Sequence, residues 1–156
     1  FHPPAQVHEA WRRFVEGMGF PPELAGPLLD PDRVLAFCEQ IPMIGLARLA
    51  QASTHTTLAP TLMEAGTKIN VIPDRVKLQV DIRTLPGWDL ADVRAMLTEA
   101  IGDLDDQVEI DLPCHDQASF SPVDTPLWDA LQRVTDHYYP GARNVPFLTA
   151  GATDAR

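Results

Sequence analysis

The stretch Thr54-His55-Thr56-Thr57-Leu58-Ala59-Pro60-Thr61, followed by Gly66-Thr67-Lys68-Ile69-Asn70-Val71-Ile72-Pro73 and then Val80-Asp81-Ile82-Arg83-Thr84-Leu85-Pro86-Gly87, decides how this chain is read. Val76, Leu78, Val80 and Ile82 alternate with Lys77, Gln79, Asp81 and Arg83, the two-residue period of a half-buried strand. A first β segment over about 54–63 precedes it, and the connection between them contains Gly66 and Pro73, so the two are expected to pair antiparallel. Arg83 then lies on the polar face of its strand, and a fork-shaped donor there suits a carboxylate.

Around this hairpin the chain reads as alternating helices and loops. Val7, Ala10, Trp11, Phe14 and Met18 recur at helical spacing over 5–19, with Gly19 and Pro21-Pro22 as the stop. Short helices are expected over about 32–38 and 43–52. After the hairpin, Asp89 is placed to cap a helix carrying Leu90, Val93, Met96, Leu97 and Ile101, which Gly102 ends. Val108, Ile110 and Leu112 then alternate with Glu109 and Asp111 as a third strand. The order β-β-α-β is most of a ferredoxin-like split βαβ sandwich, an antiparallel sheet with helices on one face, lacking an opening strand. Beyond Pro113, Thr125 caps a helix starting at Pro126 with the stripe Leu127, Leu131, Val134 and Tyr138. Residues 145–149 read as a short buried strand ending at Gly151, a βα piece whose sheet lies outside the chain.

Bulk properties narrow the function. At 156 residues and 45% hydrophobic content, the chain suits one ordinary domain, or a small domain with a piece of another. A formal charge of −10 disfavours nucleic acid and anionic membranes as partners, since both select clustered Lys and Arg. No apolar run reaches the ~18 residues of a membrane span. Fifteen prolines punctuate the periodic segments rather than mark disorder. Two cysteines, Cys38 and Cys114, without a CxxC pair, fit buried thiols in a reducing compartment, hence a cytoplasmic location, although one bridge stays open. With Phe1 first and Arg156 last, the expectation is an excised piece without a signal peptide.

Catalytic motifs of the common kinds are missing. The five histidines form no HxxxH or HxH pair, and His115-Asp116 has nothing nearby to complete a metal shell. There is no GxSxG, and Gly151-Ala152-Thr153 has neither the spacing nor the Lys of a phosphate loop. Singly, Asn70 reads as turn chemistry, Arg83 as a solvated strand residue near Asp81, and His55 as a first-strand residue facing solvent or a cross-strand partner.

In order, however, His-Thr-Thr-x-x-Pro-Thr, Gly-Thr-Lys-x-Asn-Val-Ile-Pro and Asp-Ile-Arg-x-x-Pro-Gly resemble the lid, or dimerisation, domain of the dinuclear-zinc amidohydrolases. That family groups aminoacylase, acetylornithine deacetylase, succinyl-diaminopimelate desuccinylase and glutamate-type carboxypeptidases. The tail Gly151-Ala152-Thr153-Asp154-Ala155-Arg156 is similar to the family's Gly-Gly-Thr-Asp-x-Arg, with Ala152 as the departure. The resemblance implies an α+β fragment: a lid domain over about 1–115 with a helical insertion over about 1–52, then a partial return into an α/β catalytic domain over about 118–156. It implies that Asn70 reaches the substrate or the partner subunit's active site, that Arg83 grips the substrate carboxylate, and that Gly151 and Thr153 lie beside the substrate. It also implies a homodimer, and a parent hydrolase carrying two zinc ions, or another divalent metal, and acting on acyl-amino acids or dipeptides. The family's metal ligands have no counterpart here, so the fragment alone is expected to bind no metal and to be inactive. The alternative is a freestanding ferredoxin-like ligand-binding or oligomerisation module.

Overall fold

The computed structural model describes residues 1–113, 116–149 and 151. Four helices come first: α1 (Glu9–Met18), α2 (Pro22–Leu28), α3 (Val34–Cys38) and α4 (Ile44–Thr54). The hairpin of β1 (Thr57–Ala65) and β2 (Val76–Arg83) follows, then α5 (Leu90–Ile101), a 3₁₀ turn over Gly102–Gln107, and α6 (Pro126–Tyr138). The fold is α+β, with a two-stranded antiparallel sheet among its described residues.

The helical layer has its own core. Trp11, Val15, Leu28, Val34, Cys38 and Ala50 are buried together, and the Trp11 indole N–H donates to the Leu28 carbonyl at 2.8 Å, so its one polar atom is satisfied in the apolar centre. α1 is held at both ends. His8 is its N-cap, accepting from the Ala10 N–H at 3.2 Å, and Gly19 closes it at φ 65°, a left-handed conformation that glycine adopts without strain.

The apolar pattern gives no sign of α2, and Pro21-Pro22 reads in sequence only as a stop for the preceding helix. Pro22 occupies the first position of α2 instead, where the missing N–H is no loss and the fixed φ is already helical.

A second core forms where α5 covers the base of the hairpin, while Val76 and Leu78 toward the tip, expected on a half-buried face, are exposed among the described residues. Leu58 of β1 and Ile82 of β2 pack on buried Leu85, Trp88, Val93 and Met96. Asp89 caps α5 as expected, accepting from the N–H groups of Ala91 and Asp92 while Asp92 accepts from the Asp89 N–H, a reciprocal capping box. Hairpin pairing runs from Thr57 opposite Arg83 to Ala65 opposite Val76. The register shifts between Pro60 and Leu62; Pro60 has no N–H to give the ladder, which suits an irregularity there. Gln6 ties the two cores: its N–H donates to the Thr54 carbonyl at 2.7 Å, and its side-chain oxygen accepts from the Trp88 indole at 3.1 Å.

Three expectations are corrected. Residues 108–112 form no strand; alternation gives a face, but a ladder also needs a neighbouring backbone, and none of the described residues supplies one. The segment is tethered by Arg94, whose guanidinium donates to the Ile110 carbonyl at 3.4 Å. Residues 145–149 are likewise irregular, because their side chains dock on α1 rather than in a sheet. His55 is not on the first strand. α4 runs on to Thr54, whose hydroxyl donates back to the Ala50 carbonyl at 2.7 Å, and His55 is buried at the helix end.

The stripe foreseen on α6, Leu127, Leu131, Val134 and Tyr138, is exposed. Thr125 caps this helix as expected, accepting from the Trp128 N–H at 3.2 Å.

Candidate functional site

Arg83 ends β2, and its polar-face position follows from the strand period. Its Nε–H donates to Asp81 Oδ2 at 2.9 Å, two residues back on the same face. A pair this exposed contributes little to stability. Its effect is geometric: Asp81 occupies the Nε edge of the guanidinium and so fixes which way the planar fork turns.

The fork turns toward the C-terminal segment. Arg83 Nη1 lies 3.9 Å from the point that a Cβ on Gly151 would occupy, and Thr149 Oγ1 lies 3.8 Å from the same point. The Gly151 N–H donates to that hydroxyl at 3.4 Å. Two of the foreseen residues, Arg83 and Gly151, are thus brought together although 68 positions separate them in the chain. Thr153 lies outside the described residues, as do Cys114 and His115.

Asn70 is elsewhere. It sits exposed in the connection at the hairpin tip, where the turn is closed by the Val71 N–H donating to the Lys68 carbonyl at 3.2 Å and not by the Asn70 side chain. Val76 pairs at the tip end and Arg83 at the base, and a strand of that length at roughly 3.3 Å per residue separates the two ends by about 23 Å. Asn70 in the tip connection and Arg83 at the base therefore belong to opposite ends of the hairpin.

Sequence reasoning missed the polar setting at the base of the hairpin. Ser53, Thr54, His55 and Thr56 are all buried. His55 Nδ1 and Thr54 Oγ1 are 2.9 Å apart. Since the Thr54 hydrogen is directed at Ala50, the imidazole serves as donor through Nδ1. Burial, with a smaller contribution from His2, pushes the His55 pKa below its ordinary value of 6.5. Ser53 Oγ and Thr56 Oγ1 have no hydrogen-bond partner among the described residues. The run of four polar residues gave no sign of this, because polar residues at an expected strand start read as surface.

Among the described residues no group of three His, Cys, Asp or Glu side chains could hold a metal ion. The zinc chemistry implied by the resemblance therefore finds no fitting donor set here, and no chemical step is assigned to these residues through a metal. Cys38 is a free, buried thiol whose pKa burial raises, which suits a structural rather than reactive role. No described helix is long and apolar enough to cross a membrane.

The peptidase dimerisation domain of the M20 class matches residues 17–109, more than half of the chain. The chain belongs to that family. It is similar to the human N-fatty-acyl-amino acid synthase/hydrolase PM20D1, with 28% identity over 136 residues covering 85% of this chain and 26% of the relative. The chain thus spans about a quarter of that relative's length. No solved structure matches it.

Proposed function

We propose that this chain is the lid and dimerisation part of a metal-dependent hydrolase that cleaves the amide of a small carboxylate-bearing substrate, an acyl-amino acid or a dipeptide. The observation that carries the proposal is the Arg83 fork set beside Gly151, with Asp81 holding its Nε edge. A guanidinium held in this way is the donor type that suits a substrate carboxylate, and Gly151 adds no side chain beside it. An N-acyl amino acid, the kind of compound in the relative's name, carries such a carboxylate. In this reading the chain's own work is to bind and orient. The metal ions, two zinc or another divalent pair, and the scissile-bond chemistry belong to a catalytic part that these residues do not supply, and residues 118–156 are the return toward it.

The distance between Asn70 and Arg83 supports a two-chain arrangement. In a homodimer paired through the hairpin edges, Asn70 at the tip serves the partner's site while Arg83 serves its own. Thr153 is proposed as a further wall of that site. The reading is tested in the full-length protein with N-lauroylglycine and its C-terminal carboxamide. Hydrolysis of the acid with strong preference over the carboxamide is expected; equal turnover of the two would remove the carboxylate clamp.

A further inference from the structure

The contact between α1 and the C-terminal segment bears on the same site. Gly17 lies in the last turn of α1, and a Cβ on it would meet Val145 Cγ1 at 2.9 Å and Cγ2 at 3.0 Å. Real Cβ atoms do not approach so closely, so any other residue there would push Val145 away. Glycine is disfavoured against alanine in a helix, and unlike Gly19 it is not needed here for a left-handed backbone. What requires it is the approach of Val145.

The same helix face grips the segment at several further points. Arg143 donates to the Gly17 carbonyl at 3.0 Å. Phe147 meets Phe14 edge to face at a centroid distance of 5.7 Å. Leu148 packs against the helical core. From Leu148 only three residues lead to Gly151, at most about 11 Å of extended chain. A shift of the segment at Val145 is therefore carried toward Gly151 over a short length of chain.

We propose that Gly17 is a positioning residue: by letting α1 seat Val145 and its neighbours at close range, it sets Gly151 at the right distance from Arg83. The helical layer, in this view, adjusts the substrate wall from behind while touching no substrate itself. The inference rests on the carboxylate-clamp reading given above.

The test uses the full-length protein with N-lauroylglycine as probe. Gly17→Ala is expected to raise KM by roughly tenfold with kcat little changed, short of the ~100-fold that a full 1 Å misplacement can cost. Adding Val145→Ala to the same chain restores space for the new methyl group and should return KM to its starting value. An unchanged KM in Gly17→Ala, even with a lowered melting temperature, overturns the proposal, as does a raised KM that Val145→Ala fails to restore. Arg83→Lys separates the two levels. If it raises KM while Gly17→Ala does not, only the positioning role is lost. If it leaves KM unchanged, or if the unsubstituted protein does not turn over the probe, the clamp itself fails and the positioning role with it.

Discussion

Arg83 Nη1 and the unfilled side-chain position of Gly151 lie 3.9 Å apart, although one residue closes a hairpin strand and the other sits near the end of the chain. The approach is an ordinary contact distance and carries no strain. Its consequences are measurable.

Replacing the fork by a point charge is the direct probe. Arg83→Lys keeps the charge but loses the paired donors and the Nε bond to Asp81, and it should lower kcat/KM of the full-length protein by about 1–3 kcal/mol, the scale of a charged hydrogen bond. The carboxamide substrate, which has no carboxylate to lose, should show a much smaller change. Steady-state kinetics on the two substrates decides it.

Gly151 predicts a size threshold. An alanine methyl group would stand 3.8 Å from Thr149 Oγ1 and 3.9 Å from Arg83 Nη1, ordinary contact distances, so Gly151→Ala should fold as the parent does and raise KM only modestly. The branched side chain of Gly151→Val would crowd the guanidinium and should raise KM further. Similar KM values for all three would show that the substrate does not lie there.

His55 gives the protein a pH-dependent stability. Its folded pKa is depressed by burial, so the unfolded chain takes up the proton more readily. Stability is therefore full above the unfolded value near 6.5 and declines as pH falls from there through the depressed folded value. Urea midpoints between pH 7.5 and 5 should fall accordingly, and the fall attributable to this residue should vanish in His55→Gln. A midpoint profile unaltered by the substitution would exclude it.

The cap of α5 predicts a modest loss. Asp89→Ala removes the acceptor for the Ala91 and Asp92 N–H groups and should cost about 1 kcal/mol by chemical denaturation, whereas Asp89→Asn should retain most of the stability. Because α5 seats Val93 and Met96 on the hairpin, the loss should accelerate hydrogen exchange in β2 as well as in the helix.

Much of this was legible residue by residue. The alternation of Val76 to Arg83 placed the strand and its polar face, Asp89 and Thr125 announced their caps, and the ordered motifs around Asn70 and Arg83 pointed to the dimerisation domain family that matches the chain. These are local signals: a strand period, a side chain that satisfies a nearby N–H, a string of turn residues. They survive folding because each is set by atoms only a few positions apart.

Other features depended on neighbours that no local pattern reveals. Val108 to Leu112 and Val145 to Thr149 alternate or cluster like strands, yet neither has a backbone alongside to complete a ladder among the described residues, and docking on α5 or α1 took its place. His55 reads as a strand residue in sequence, but α4 runs on to Thr54 and leaves His55 buried as its C-cap.

By itself, then, the sequence determined the family, the hairpin and the face on which Arg83 stands, because those are written in short-range period and motif. Tertiary structure alone decided that Arg83 meets Gly151 while Asn70 lies a hairpin's length away, and that Gly17 admits Val145. Such pairings are fixed by how separate elements pack, and the packing distance between residues more than sixty positions apart is a property of the whole core rather than of any stretch of chain.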